Sequence, residues 1–369
     1  MVDYKSYVEE SVRGRYVTYA MLKNEWLDKL PRAAITSIGV SVQKTEIISI
    51  TLGTGPKKIL MWSQMHGNES TTTKAVLDVV NYLDSGESMA QSILANCTFF
   101  IIPILNPDGA RQYTRINANK IDLNRDAKLL SQPESRVLRN AFESFKPDYC
   151  FNLHDQRTLF SAGNTSKSAT VSFLSPASDE ERKLTPAREK SMKLIVAMEN
   201  VLQQLIPGQL GRYDDAFNDN CVGDTFQMKN TPTILFEAGH FPGDYEREKT
   251  REFIFYALIE AIKTIANDNI EDYVTNAYFN IPENKKLFYD VIVKAPHVLN
   301  ASYEKGNHLG IRFKEVLNKE KVQLEPELID TGELKGYFGH EIIDCLQQKD
   351  LELVKSRKEI LNLVLSKTR

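Results

Sequence analysis

Apolar and polar positions near the start of the chain predict two strands followed by a helix. Residues Ile47 to Leu52 and Lys58 to Gln64 are rich in apolar and β-branched side chains, and a Gly-Pro turn separates the two runs. The segment after them repeats apolar residues at helical spacing behind a run of serine and threonine. This pattern predicts strand, turn, strand, and then a helix that begins just after Glu69.

Three later apolar runs predict buried strands, and two of them end at polar side chains. Thr98 to Leu105 leads into the turn signal NPDG, while YCFNLH ends at His154 and TPTILFEAGH leads to Glu237. Helical patterns cover Arg188–Leu205 and Glu246–Ile265. Strands that alternate with helices predict an α/β fold with a mixed, largely parallel sheet flanked by helices, in which functional sites form at the carboxyl ends of strands.

The pattern changes after residue 275 and predicts a second, smaller domain. At 369 residues the chain exceeds the length of roughly 250–300 residues at which a single hydrophobic core stops growing. Residues 276–369 contain short strand-like runs such as FYDVIVKAPHVL and VQLEPELI, and they close with a helical pattern. We therefore expect a large domain over residues 1–275 and a small β-rich C-terminal domain, ending in a helix, over residues 276–369.

Composition and charge exclude several classes of partner. The formal net charge is −3 and no long run of Lys or Arg occurs, so no nucleic-acid-binding surface is expected. No apolar run reaches the roughly 18–20 residues of a membrane span, and the N-terminal segment has no signal-peptide core. The four cysteines lack C-x-x-C spacing, which favours packed free thiols. These features predict a soluble, cytoplasmic protein that binds neither nucleic acid nor a membrane.

Three side chains at the predicted strand ends have the chemistry of a catalytic zinc site. Such a site needs three protein ligands, commonly imidazoles and a carboxylate, and one open position for water. HGNES supplies His66 and Glu69, and NLHDQ supplies His154. Each signal is weak alone, because a strand-end histidine is more often a hydrogen-bonded structural residue and H-x-x-E occurs by chance. Together they predict one Zn²⁺ per chain.

A short polar segment between these motifs is rich in side chains that bind carboxylates. The segment NPDGARQYTRINANKIDLNRD contains Arg111, Arg115, Asn124 and Arg125. The planar donor fork of arginine suits bidentate binding of a carboxylate, and an asparagine beside it can hold the other oxygen. The alternative interpretation of this segment is a solvated surface loop.

The order of these motifs resembles that of the zinc metallocarboxypeptidases, the family that includes carboxypeptidase A. The resemblance runs from about Ile35 to Ile265 and comprises LGTGPKKIL, HGNES, NPDG, R-x-N-x-x-x-x-DLNR, NLHD and FE. It implies a carboxypeptidase-like fold in which His66, Glu69 and His154 bind zinc.

The resemblance also implies roles for the other polar residues of these motifs. Arg115 polarises the scissile carbonyl and stabilises the oxyanion, and Glu237 acts as general base and acid. Asn124 and Arg125 bind the terminal carboxylate of the substrate, and Asp122 orients His66 from behind.

Several positions depart from the pattern of the familiar digestive enzymes. Asp126 follows the DLNR motif, where those enzymes usually have an asparagine or an aromatic residue. The extra negative charge is expected beside the carboxylate-binding pair, where it weakens that pair or recognises a substrate amine. Tyr213 is the candidate for the mobile tyrosine of the family, and Gly223 and Asp224 are expected to line the specificity pocket.

The leading interpretation is a zinc-dependent hydrolase that removes the C-terminal residue of a peptide or peptide-like substrate. A zinc deacylase or amidase of small N-acyl amino acids or cell-wall stem peptides is the alternative, because a related branch of zinc enzymes combines H-x-x-E with an Asn-Arg clamp and a small C-terminal β domain. A third possibility is a non-catalytic binding module that binds zinc without turnover. The expected partner is a peptide or small acyl-amino-acid substrate, and the sequence does not specify an oligomeric state.

Overall fold

A computed structural model describes residues 2–366 and divides the chain into two compact units. The first unit contains the residues up to 156 together with residues 169–284. The second contains residues 157–168 and the chain from residue 285 onward. The division into two domains after residue 275 stays a prediction.

Strands and helices alternate through most of the described chain. The strands are β1 Ala34–Val40, β2 Glu46–Leu52, β3 Lys57–Ser63, β4 Cys97–Ile102, β5 Tyr149–Asp155, β6 Ser161–Ala162, β7 Val171–Leu174, β8 Leu210–Arg212, β9 Thr233–Ala238, β10 Asn284–Lys285, β11 Phe288–Lys294, β12 His308–Asn318, β13 Lys321–Gly332 and β14 Phe338–Asp344. The α-helices are α1 Tyr19–Glu25, α2 Thr71–Asp84, α3 Ser88–Asn96, α4 Pro107–Gln112, α5 Pro133–Phe145, α6 Pro186–Leu205, α7 Val222–Met228, α8 Glu248–Ala266, α9 Gln348–Ser356 and α10 Lys358–Leu365.

The first unit is built on one mixed sheet with the strand order β1-β2-β4-β3-β5-β9-β7-β8. Its central strands β4, β3, β5 and β9 are all parallel, and antiparallel neighbours flank them on both sides. Along β3, Ile59 and Met61 pack into the apolar cluster on one face, and Leu60 and Trp62 pack into the cluster on the other. Apolar residues on both faces are typical of a parallel strand that is covered on both sides. Because β3, β5 and β9 are parallel, their carboxyl ends lie at the same edge of the sheet.

Helices cover each face of this sheet. Residues of α2, α6 and α8 contribute to the cluster on one face, and residues of α5 and α7 contribute to the cluster on the other. Helix α2 begins with three threonines, all of them buried, and every residue of this helix except Asn81 is buried.

The second unit has a four-stranded sheet of its own, in the order β13-β12-β11-β14. Strand β11 pairs antiparallel with β12 and parallel with β14. Helices α9 and α10 supply Val354, Ile360 and Val364 to a core that also contains residues of β11, β12 and β14. The small β-rich sheet expected near the C-terminus is therefore confirmed, with two helices after its last strand.

The N-terminal segment, residues 4–17, is fixed against the turn that follows β3. The hydroxyl of Ser70 donates to the backbone oxygen of Arg15 at 2.6 Å. On the other side of the turn, Nε2 of Gln64 donates to the backbone oxygen of Val17 at 2.9 Å. Gln64 and Ser70 lie just before and just after the turn that contains the HGNE sequence. The N-terminal segment is therefore hydrogen-bonded to both sides of this turn.

The predicted α/β fold class is confirmed, and one local prediction was wrong. The NPDG sequence is the start of helix α4 and not an isolated turn. The side-chain oxygen of Asn106 accepts from the backbone nitrogen of Gly109 at 2.9 Å, and Pro107 occupies the first helical position. Strand β1 was not predicted, because its residues are mostly exposed and do not form an apolar run.

Three of the four cysteines agree with the expectation of packed free thiols. Cys97, Cys150 and Cys345 are buried free thiols, whereas the free thiol of Cys221 is only partly buried. Among the described residues, no helix has the length and apolar character needed to cross a bilayer.

We predict that Asp78→Ala lowers the free energy of unfolding by about 3–5 kcal/mol, because it leaves the charge of Arg251 without its buried partner. The carboxylate of Asp78 accepts from Nε and Nη2 of Arg251 at 2.7 and 2.6 Å, and both side chains are fully buried. Denaturant unfolding measures the loss. Lys249→Ala is the control. Lys249 lies in α8, as Arg251 does, and its side chain is 62% exposed, so its replacement should lower the free energy of unfolding by less than about 0.5 kcal/mol. Equal losses for the two variants would contradict the prediction.

Candidate metal centre

His66, Glu69 and His154 form a cluster of potential metal ligands, with one ligand atom from each lying within 4.8 Å of the others. It is the one such cluster in the part of the chain that the structure describes. The Nδ1 atoms of the two histidines are 3.1 Å apart. One carboxylate oxygen of Glu69 lies 2.9 Å from Nδ1 of His66, and the other lies 2.9 Å from Nδ1 of His154. The structure thus brings the three predicted ligands together.

A tight turn between β3 and α2 places His66 and Glu69 on the same side. Gly67 is required in this turn, because a Cβ atom there would lie 2.0 Å from the carbonyl carbon of Gly109. The side chain of Asn106 connects the two segments, since its Nδ2 donates to the backbone oxygen of Met65 at 3.2 Å. The NPDG segment therefore acts as a support for the HGNE turn.

Strand register places His154 beside Glu237. The two residues are direct neighbours in the parallel pair of β5 and β9. The backbone nitrogen of Asp155 donates to Glu69 at 3.2 Å. The side chain of Asp155 accepts from the backbone nitrogens of Thr71 and Thr72 at 2.8 and 3.1 Å, and so caps the start of α2.

Asp122 connects the cluster to Arg115. One oxygen of Asp122 lies 3.0 Å from Nε2 of His66, and the other accepts from Nε of Arg115 at 3.0 Å. The Asp122 carboxylate also accepts from the backbone nitrogen of Asn124 at 2.9 Å. Arg115 reaches Glu69 with Nη1 at 3.2 Å, while 48% of its side chain stays exposed. Asp122 therefore orients His66 and Arg115 together, as the resemblance implied for His66 alone.

The donor set of the cluster fits a zinc ion. The carboxylate of Asp122 accepts a hydrogen bond from Nε2 of His66, which leaves the Nδ1 lone pair directed at the cluster. Nδ1 of His154 converges on the same place, 3.1 Å from Nδ1 of His66 and 2.9 Å from the carboxylate of Glu69. Buried lone pairs that converge in this way repel one another unless a cation lies among them, and two imidazoles with one glutamate are a common catalytic zinc set.

The pKa values of the cluster show the same electrostatic balance. Burial raises the pKa of Glu69, but His66 and His154 outweigh it and hold the pKa well below its ordinary value. Burial lowers the pKa of His154. Burial also tends to lower the pKa of His66, but Glu69 and Asp122 outweigh burial, and the pKa of His66 is raised. Glu69 is therefore an ionised carboxylate ready to bind a cation.

Glu237 has the opposite behaviour. Burial, together with the negative charges of Glu69 and Asp155, raises the pKa of Glu237 well above its ordinary value, and Arg115 opposes this only in part. Its Oε2 atom is buried and has no hydrogen-bond partner in the described residues. A carboxyl group with a raised pKa beside the metal cluster can hold a proton that an ordinary glutamate would lose.

The predicted carboxylate-binding pair lies on the 3₁₀ turn Leu123–Arg125, directly after Asp122. The side-chain oxygen of Asn124 accepts from the backbone nitrogen of Val222 at 3.0 Å, which leaves its amide hydrogens for another acceptor. Nη1 of Arg125 lies 2.7 Å from the backbone oxygen of Asn124 and 3.1 Å from Sγ of Cys221. No described carboxylate forms an ion pair with Arg125.

Tyr213 experiences the charges of Glu237 and Glu69, and Asp224 experiences the charge of Arg125. Burial raises the pKa of Tyr213 strongly, and the charges of Glu237 and Glu69 raise it further, so its ring stands close to the predicted base. Burial raises the pKa of Asp224 to about 6, against the lowering effects of Arg125 and Arg188. The specific roles of these and the other site residues stay predictions.

The expected position of Asp126 was wrong. Asp126 is 1% exposed, and its carboxylate forms no ion pair with Arg125 in the described chain. It accepts from the backbone nitrogen and hydroxyl of Ser131, at 3.0 and 2.7 Å, and from the backbone nitrogen of Gln132 at 2.9 Å. Asp126 thus fixes the loop before α5, where a short acidic side chain satisfies backbone donors.

Some residues that support the centre were not identified from the sequence. Asn117, in the R-x-N part of the motif, accepts from the backbone nitrogens of Asn119 and Ile121 at 3.1 and 3.0 Å and so shapes the loop that carries Arg115. Its place in the R-x-N-x-x-x-x-DLNR motif was the one feature of the sequence that could have indicated this role. Asp155, next to His154, gave no signal of its capping role, which depends on a contact with a distant helix.

Comparison with known proteins decides the family. The sequence profile described as zinc carboxypeptidase matches residues 23–224, which is more than half of the chain. The chain belongs to the zinc carboxypeptidase family. Zn²⁺ is the metal of this family, and the cluster of His66, Glu69 and His154 is able to hold it. Glu237 lies beyond the matched residues, so its place in the site depends on the strand register described above.

Relatives of known structure share the carboxypeptidase fold. A metallo-carboxypeptidase from Burkholderia cenocepacia is 20% identical, with a TM-score of 0.54 over 66% of each chain. Bovine thrombin-activatable fibrinolysis inhibitor, in complex with tick carboxypeptidase inhibitor, is 14% identical, with a TM-score of 0.52 over 70% of this chain and 98% of the bovine one. Carboxypeptidase SOL1 of Arabidopsis thaliana is 32% identical over 130 residues, which span 32% of this chain and 26% of the plant protein.

We predict that Asp122→Asn weakens zinc binding by about 10- to 100-fold, because the carboxylate that orients His66 and Arg115 loses its charge. Competition with a chromophoric chelator measures the zinc dissociation constant. Asp126→Asn is the matched control, four residues later in the same segment. It should leave zinc binding unchanged, and a loss as large as that of Asp122→Asn would contradict the assignment.

We predict that Glu237→Gln stabilises the metal-free protein at about pH 8 and has little effect near pH 4. The pKa of Glu237 is raised above its ordinary 4.5. The folded state therefore binds the proton more tightly than the unfolded state, and wild-type stability falls as the pH rises above 4.5. The glutamine variant lacks this loss. Urea unfolding of both proteins after chelation measures the difference, and a difference independent of pH would contradict the raised pKa.

Proposed function

We propose that this protein is a zinc-dependent carboxypeptidase, which removes the C-terminal residue of a peptide or peptide-like substrate. Family membership and the metal cluster support a metal-dependent peptide hydrolase. The observation that favours C-terminal cleavage is the guanidinium of Arg125, which has no carboxylate partner among the described residues and lies three residues after Asp122, the side chain that orients His66. A free carboxylate is the group that such an arginine binds best.

The side chains can divide the reaction among themselves. Asn124 and Arg125 bind the terminal carboxylate of the substrate, which places the last amide bond near the cluster. Arg115 donates to the carbonyl oxygen of that bond as negative charge develops on it, and such a donor typically contributes about 3–4 kcal/mol to lowering the barrier. When bound, zinc lowers the pKa of a water molecule and polarises the carbonyl.

Glu237 completes this arrangement as the proton carrier. Its carboxylate accepts the proton of the attacking water and passes it to the leaving amine. The raised pKa suits the second step, because a carboxyl group that holds its proton more firmly remains protonated until the amine is formed. Tyr213, close to Glu237, can close over the bound residue, and Asp224 with Gly223 can contact its side chain.

We predict that the zinc-loaded wild type shortens peptides by one residue at the carboxyl end, and that Glu237→Gln lowers kcat by at least about 100-fold, because the proton carrier is lost. Mass spectrometry of a mixed peptide pool identifies the products. The same peptides with an amidated C-terminus serve as the control and should not be cleaved, because they lack the carboxylate that Arg125 binds.

Other outcomes would replace the proposal. Release of an acyl group from small N-acyl amino acids would favour the deacylase or amidase function. Cleavage of amidated peptides at the same rate would contradict a carboxylate-binding role for Arg125. Stoichiometric zinc without turnover of any substrate would identify a binding module.

A further inference from the structure

Arg247 is a fully buried arginine that directly precedes helix α8. Its backbone is left-handed, with φ at 62°. For a residue other than glycine this conformation is unfavourable, and burial of a guanidinium is more unfavourable still unless its hydrogen bonds are satisfied. A residue held at such a cost is a candidate for a specific role.

The guanidinium of Arg247 bridges the ends of two strands that carry predicted site residues. Nη1 donates to the backbone oxygen of Ala238 at 2.9 Å, and Nη2 donates to the backbone oxygen of Gln156 at 2.9 Å. Ala238 directly follows Glu237, and Gln156 lies two residues after His154. Since the donor fork of arginine is planar and rigid, the two contacts fix the separation of the two strand ends.

Between β5 and β9 the sheet provides little further restraint at this point, although β9 still pairs with β7 on its other side. The ladder between β5 and β9 ends at the pair of Asp155 and Ala238. Beyond this pair, the backbone nitrogen of Gln156 donates to the oxygen of Ala238 at 2.9 Å. Arg247 therefore contacts Ala238 and Gln156, the last two residues that are hydrogen-bonded directly between the ends of β5 and β9.

The carboxyl end of β5 also contacts Glu69, the third predicted metal ligand. Asp155 donates from its backbone nitrogen to Glu69, and its carboxylate caps the start of α2 through Thr71 and Thr72. A shift of the segment at Asp155 and Gln156 would thus move the support of Glu69 as well as that of His154.

We propose that Arg247 is a positioning residue, which fixes the distance between the metal ligand His154 and the base Glu237. Its part in catalysis rests on the proposed function of Glu237. Its effect on metal binding does not depend on that function, so metal binding and catalysis can be tested separately.

The test compares Arg247→Lys with the wild type in zinc dissociation constant, kcat and KM. A lysine keeps the charge but cannot bridge both carbonyl oxygens in a fixed plane. We expect zinc affinity and kcat each to fall by about 10- to 100-fold, as for other groups that orient ligands, with KM nearly unchanged.

Arg251→Lys is the matched control. Arg251 is also fully buried and lies in α8, four residues after Arg247. It donates to the backbone oxygens of Glu9 and Val12, at 3.0 and 2.8 Å. None of its hydrogen-bond partners belongs to the metal cluster. We expect this variant to lose stability without losing zinc affinity or kcat.

Arg247→Gly provides a second test that does not depend on the lysine side chain. Glycine accepts the left-handed backbone and leaves space for a small guanidinium ion. Added methylguanidinium should restore kcat and zinc affinity in a saturable way, whereas methylammonium at the same concentration should not.

Each outcome decides the inference. If Arg247→Lys and Arg251→Lys have the same zinc affinity and kcat, Arg247 is a structural residue and the proposal is wrong. If the wild type binds zinc but hydrolyses no peptide, the proposed function fails, and the zinc affinities of the two lysine variants alone decide whether Arg247 positions the cluster.

Discussion

The metal centre depends on one electrostatic constraint, which is that two imidazole nitrogens and a carboxylate converge in a buried place. Without a cation these lone pairs repel one another, and burial removes the water that would screen them. The protein must therefore hold His66, Glu69 and His154 together through other contacts. Asp122 restrains one imidazole, and the backbone of Asp155 restrains Glu69. The site is consequently set by groups that do not themselves bind the metal.

The same burial gives the neighbouring carboxylates different properties. Glu69 faces two imidazoles and has a lowered pKa, whereas Glu237 faces Glu69 and Asp155 and has a raised pKa. A carboxylate that binds a cation and a carboxyl group that carries a proton thus arise from one local field, because each has a different set of neighbours.

Much of this centre could be predicted from the sequence, because strand-end residues of a parallel sheet meet at one edge. His66, His154 and Glu237 follow apolar runs that are easily recognised, and the helix after Glu69 begins where its pattern indicates. Contacts made by backbone atoms or by short polar side chains could not be predicted in this way. The direction of the Asp126 side chain is one case, and its backbone partners are visible only in the folded loop.

The capping role of Asn106 and the strand at Ala34–Val40 show the same limit for local structure. A Pro-Asp-Gly sequence suits both a turn and a helix start, and the choice depends on the neighbouring HGNE turn. An exposed edge strand has no apolar pattern, so its pairing with β2 is decided by the sheet and not by its own composition.

The N-terminal segment gives the metal centre a particular order of assembly during synthesis. Arg15 and Val17 are synthesised before Gln64 and Ser70, the residues to which their backbone oxygens are hydrogen-bonded. The last ligand, His154, follows much later, and the strand that pairs with it later still. The full set of ligands can therefore come together only after the central strands of the sheet have been synthesised.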